Sequence, residues 1–145
     1  MKYVLNNIVI NGDFENLVNP QWEYSLTGEA ISSESETITN HFARIKSTES
    51  IYQKLGDVFK QNDTGTISLK LRGQTGLVVA IFRDENKVVW SGNLTPTGVT
   101  EWDVFSLDFN LDATNYTNLY IHLQAQYNSN GDAYVDIDDV VLVID

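Results

Sequence analysis

Tyr134-Val135-Asp136-Ile137-Asp138-Asp139-Val140-Val141-Leu142-Val143-Ile144 is the stretch on which the reading of this chain turns. Its β-branched and aromatic residues predict a strand. Three acids interrupt the apolar run. A carboxylate on a strand that buries at least one face is costly unless something neutralises it. No Lys or Arg follows Lys87, so a bound cation is the most economical local partner. Near the other end, Asn11-Gly12-Asp13-Phe14-Glu15 brings two further acids, followed by Trp22. Head and tail are expected to meet around the ion.

Between these ends the hydrophobic period is two rather than 3.6. In Thr66 to Arg72, Ile67, Leu69 and Leu71 take one face while Ser68, Lys70 and Arg72 take the other. Leu77 to Phe82 is continuously apolar and reads as a more deeply buried strand. Arg83-Asp84-Glu85-Asn86-Lys87 reads as a hairpin turn before Val88-Val89-Trp90, and Gly73-Gln74-Thr75-Gly76 as a turn between strands. Phe105, Leu107, Phe109 and Leu111 alternate inward, as do Leu119, Ile121, Leu123 and Ala125. Asn128 to Asp132 supplies a turn before the closing strand. Strands are expected near 6–10, 23–31, 41–46, 65–72, 77–83, 87–91, 103–110 and 118–126, closing near 133–144. Strands in series with turn-rich gaps and no long helix indicate an all-β antiparallel sandwich. No internal repeat or low-complexity linker divides it, so residues 1–145 are read as one domain.

Composition narrows the function classes. Twenty acids against nine Lys and Arg give a net charge of −11, which disfavours nucleic acid and anionic membranes as partners. Without cysteine there is no disulfide, thiol chemistry or thiolate metal site. Two histidines, His41 and His122, do not support a histidine metal site. No stretch has the length of a membrane span. Met1 to Asn7 lacks the apolar core of a signal peptide, so an extracellular or particle-surface setting, if that is where the protein acts, is expected only as part of a larger protein.

Asn11-Gly12-Asp13-Phe14-Glu15, Trp22 and the closing Asp138-Asp139-Val140-Val141-Leu142 together resemble the jelly-roll carbohydrate-binding modules of families four, nine and twenty-two, in the galactose-binding-domain-like group. The resemblance implies a two-sheet jelly roll with a structural calcium and a sugar-binding face or loop cluster. It implies Glu15 and one of Asp138 and Asp139 as calcium ligands, with backbone carbonyls of Asp13 and near Lys46 completing the oxygen set that a hard cation takes. Alternation leaves the aspartates open. If Val135, Ile137 and Val141 face the core, so does Asp139, which is slightly preferred. If Val140 and Leu142 do, Asp138 is the inward one. The alternative is that these acids cap turns and guard a sheet edge. Trp22 is expected in the core as part of the same motif.

The non-core face of the 118–126 strand carries Tyr120, His122, Gln124 and Gln126. An aromatic ring stacks on the apolar face of a pyranose, and planar polar groups make paired hydrogen bonds to vicinal hydroxyls. In the family-twenty-two modules a tyrosine and a polar residue hold the corresponding strand, and Tyr120 and Gln124 match them. Trp90, Trp102, Arg72 and Arg44 are candidate neighbours, with Tyr52 and Tyr127 in loops bordering the face. The expected function is a non-catalytic carbohydrate-binding module for a polysaccharide or glycan, joined to a catalytic domain or larger assembly. The alternatives are an adhesion or assembly module of a phage tail or cell-surface protein and, further off, a small glycan-active enzyme. No nucleophile elbow, phosphate loop or catalytic carboxylate pair stands out.

Overall fold

The computed structural model describes residues 7–16, 21–24, 29–31, 40–55, 63–73, 78–111, 116 and 118–145. Among these residues the regular structure is strand: β1 (Glu23–Tyr24), β2 (Glu29–Ile31), β3 (Phe42–Lys46), β4 (Ser50–Lys54), β5 (Thr64–Gly73), β6 (Val78–Asp84), β7 (Lys87–Leu94), β8 (Asp103–Asn110), β9 (Leu119–Ala125) and β10 (Tyr134–Ile144). They form two five-stranded antiparallel sheets. The first sheet is ordered β1-β4-β9-β6-β7 and the second β2-β3-β10-β5-β8. Apolar residues at every second position meet between the sheets. Ile67, Leu69 and Leu71 of β5, Ile121 and Leu123 of β9, Val78, Ala80 and Phe82 of β6 and Val135, Ile137 and Leu142 of β10 share one buried cluster. Burying each large aliphatic side chain is worth about 1.5–3 kcal/mol, so the two central strands anchor the sandwich.

The period-two reading therefore holds, with local corrections. The expected strand over 23–31 is two short strands in different sheets, β1 and β2. Ser50–Lys54, read as loop, is β4 and pairs with β9. Gln74, Thr75 and Gly76 lie outside the described residues, as do residues 1–6. Residues 7–10 are not a strand, yet they take a strand's place. β3 pairs only with Tyr134 to Ile137 of β10. Beyond that, the Ile8 N–H donates to Leu142 O, Asn7 Nδ2 donates to Val140 O, and the Leu142 and Val140 N–H groups donate to Asn7 Oδ1 and Gly12 O. Gly12 permits this approach: a Cβ there would lie 2.0 Å from Val140 O. Phe105 and Leu107 are only half buried, because β8 is the edge of its sheet and the core ends there.

The choice between the two aspartates of β10 dissolves in a β-bulge. Register runs Asp138↔Lys70 and then Val141↔Ser68, one residue out of step. Asp139 absorbs the extra residue with φ 48, a left-handed conformation that aspartate tolerates better than most residues. Hence Val135 and Ile137 face the core before the bulge, and Val140 and Leu142 after it.

Candidate functional site

The acids of β10 meet three different fates. Asp136 is 1% exposed and is neutralised by protein, not by an ion. Arg44 Nε and Nη2 donate to its two carboxylate oxygens at 2.6 and 3.0 Å, and Arg72 Nε donates at 3.1 Å. β3 and β5 flank β10, so the sheet itself brings the arginines to the acid. The guanidinium of Arg44 lies 3.8 Å over the Tyr134 ring and that of Arg72 lies 4.2 Å over Trp102, whose ring meets Phe42 edge-on. The expectation that a cation is the local partner is thus corrected for Asp136.

Asp138 is buried where β3 gives way to residues 7–12. Its Oδ2 accepts from Asn40 Nδ2 at 3.0 Å and its Oδ1 from the Asp139 N–H at 2.8 Å. Burial pushes its carboxyl up to about 7 against those two hydrogen bonds, and the charges of Asp139 and Glu15 add to the rise. Glu15, expected to join it, accepts the His41 N–H at 2.7 Å, and its other oxygen lies 3.2 Å from His41 Nδ1. Asp139 pairs with Lys70 Nζ at 2.8 Å. Asp13 accepts the Glu15 N–H within the exposed turn. Lys46 is not brought to this cluster. It pairs with Tyr134, four residues or roughly 13 Å along β10 from Asp138. Its carbonyl accepts the Glu49 N–H and its ammonium faces Asp132. Among the described residues no three His, Asp or Glu side chains are disposed to hold a metal ion. The two carboxylates nearest Asp138, those of Asp139 and Glu15, are committed to Lys70 and His41, so of these three acids Asp138 is the one whose buried charge a hard cation would relieve.

The outward face of the first sheet gathers a different set. Side chains paired across antiparallel strands share a face. Tyr52 of β4 is paired with His122, and their rings stack at 4.9 Å with 15° between planes. Tyr120 meets both rings, 6.2 Å from Tyr52 and 6.1 Å from His122. Gln124 continues the face beside Ser50 and Val79. Burial first and the Arg83 charge second hold the His122 imidazole well below its usual value, at about 4. A neutral ring presents one donor and one acceptor. An open depression of about 420 Å³ adjoins Tyr120, lined also by Lys54, Gln53, Glu23, Trp22, Gln21 and Ile10.

The remaining expected neighbours lie elsewhere. Trp90 turns toward the sandwich interior, with its ring 5.6 Å from Phe82 and 6.1 Å from Phe109. Trp102, Arg72 and Arg44 belong to the outward face of the second sheet, committed to Asp136 and its aromatic neighbours. Trp22 is buried against Phe14 at 5.5 Å and donates from Nε1 to Asn11 O. Tyr127 is exposed beyond β9. Tyr52 belongs to the face itself. Its signal is the alternation of Ser50, Tyr52 and Lys54 against Ile51 and Gln53, masked because Gln53 puts an amide at a core position. That amide clasps the backbone of Ile10, accepting its N–H and donating to its carbonyl, both at 2.9 Å.

Solved structures share this two-sheet fold. A CBM4 module superposes with a TM-score of 0.67 at 15% identity over 94% of this chain and 99% of its own. The chain has the jelly-roll fold of carbohydrate-binding modules. TmCBM61, solved with β-1,4-galactotriose, gives 0.65 at 14% identity over 97% of this chain and 99% of its own. The Stig cyclase Fisc from Fischerella sp. TAU gives 0.73 at 14% identity over 97% and 98%, so the jelly-roll fold also occurs in a protein named as a cyclase. No family model and no curated protein matches the sequence.

Proposed function

We propose that this protein is a non-catalytic carbohydrate-binding module whose sugar site is the outward face of the first sheet, centred on Tyr120. The observation that carries the reading is the three-ring cluster of Tyr52, Tyr120 and His122 beside Gln124 and an open depression. Two phenol rings give a pyranose a surface to stack on, and a neutral imidazole and an amide give its hydroxyls both donors and acceptors. The likeness to CBM4 and to TmCBM61, the latter solved with a galactotriose, supports the same reading. An exposed face must displace well-hydrated water, so a dissociation constant between micromolar and millimolar is expected, roughly −4 to −8 kcal/mol. Whatever larger protein carries the domain would be held near its glycan. A calcium ion bound at Asp138 would have a structural role, since Asp138 belongs to the second sheet, opposite the one carrying Tyr120.

The test is a glycan array read beside affinity electrophoresis in soluble polysaccharides, with wild type and Tyr120→Ala. Wild type should bind at least one glycan, and the variant should lose at least tenfold in affinity, about 1.4 kcal/mol, while melting within a few degrees of wild type. Unaltered binding by a folded Tyr120→Ala would remove this face from the function.

A further inference from the structure

The charge on the Tyr120 face runs against that of the molecule. The chain carries 20 acids and nine Lys and Arg, yet Tyr120 is paired in register with Lys54 on one side and Arg83 on the other. Register partners share a face, so a cation stands on each flank of the ring, separated by two strand spacings or roughly 10 Å. Most of the chain's other described cations are spoken for. Arg44 and Arg72 are locked to Asp136, Lys70 pairs with Asp139, and Lys46 faces Asp132. Among the described residues neither Lys54 nor Arg83 has an acid within ion-pair distance. Arg83 further holds a buried Nε with no hydrogen-bond partner. Its field reaches the sugar face, because it helps to keep His122 neutral. Glu23, exposed on the short edge strand β1, is the acid of the neighbouring depression.

We infer that the glycan this face takes is acidic, a polymer of hexuronic acid whose carboxylates are met by Arg83 and Lys54 while a pyranose ring lies on Tyr120. The inference rests on the sugar-binding reading above and adds the class of sugar. A guanidinium fork matches a planar carboxylate. Lys54 supplies a second, less directional charge on the other flank.

The experiment measures binding of the intact protein to polygalacturonate, alginate and glucuronoxylan. Each is compared with its carboxyl-reduced form and with dextran sulfate and an oligothymidylate as other polyanions. The arms are repeated at low and high salt and with Arg83→Gln and Lys54→Gln. Wild type should bind one polyuronate about tenfold more tightly than the reduced polymer, with the preference falling as salt rises. Each substitution should lower affinity for the polyuronate more than for the reduced polymer, and so shrink that preference. Arg83→Lys should restore less than its full value, because the ammonium lacks the fork. Equal or tighter binding to the reduced polymer overturns the acidic-sugar inference and leaves the sugar-binding reading standing. A preference for dextran sulfate or the oligonucleotide over every polyuronate overturns it as well. Binding to no glycan on the array overturns both.

Discussion

Single side chains set the energetics at two places. Asp136 satisfies two arginines on a sheet surface covered by Phe42, Tyr134 and Trp102, and removing it would leave both guanidinium groups with unpaired donors. Asp136→Ala should cost about 3 kcal/mol in urea unfolding, near the lower bound for breaking a buried ion pair because Arg44 is partly open to water. Asp138 works in the opposite sense. A carboxyl raised from 3.8 to about 7 in the folded protein favours the fold while protonated, and that advantage is lost as pH rises through this window. Asp138→Asn removes the titration and keeps an oxygen for Asn40. In EDTA the variant should melt higher than wild type at pH 8 and close to it at pH 4. Calcium should raise the wild-type melting temperature at pH 8 and leave the variant's almost unmoved; equal calcium shifts in both proteins would count against the proposed ion site. His122 follows a third course. Its depressed value contributes stability in full above pH 6.5, lost as pH falls through about 4. Because Asp138 opposes it over much of that range, imidazole NMR shifts are the clean readout. A midpoint near 4 should move upward in Tyr52→Ala, which exposes the ring.

Strands and their connections show what alternation reveals and what it hides. The inward sets of β5, β9 and β10 are legible because burial selects every second residue, and a one-residue slip would turn them all to water. β4 escapes such a reading because Gln53 occupies an inward position for the sake of the Ile10 backbone. The bulge at Asp139 escapes it too, since it changes the phase of alternation midway along β10. Contacts between distant residues, such as Arg44 with Asp136 over 92 positions, depend on which strands become neighbours, and periodicity carries no record of that. The same limit separated Tyr120 from four of its expected partners and hid that Arg83 stands beside it. The junction between residues 7–12 and β10 is testable directly. Gly12→Ala sets a Cβ against the Val140 carbonyl and pushes apart the Val140 N–H and Gly12 O, now 2.8 Å apart. A loss of about 2 kcal/mol in urea is expected, with faster amide exchange at Val140 and Leu142 than at Ile121 of the other sheet.

The whole molecule divides its labour between two surfaces. The outward face of the second sheet is consumed by internal pairing, with its arginines, acid and aromatic rings bound to one another. The outward face of the first sheet carries Tyr52, Tyr120, His122, Lys54 and Arg83, so the proposed ligand would lie across β4, β9 and β6. Binding should therefore protect amides of those three strands from exchange and leave β3 and β10 unaffected; protection confined to β10 would place the contact on the wrong sheet. One feature of the second sheet also bears on how the chain is made. β10 is central, flanked by β5 throughout and on its other side first by β3 and then by residues 7–12, so that layer has no middle until the last strand arrives. Folding of this kind has high contact order, expected on the millisecond-to-second timescale. On the ribosome the emerging polypeptide would have to wait, its hydrophobic strands unclosed, until β10 leaves the exit tunnel.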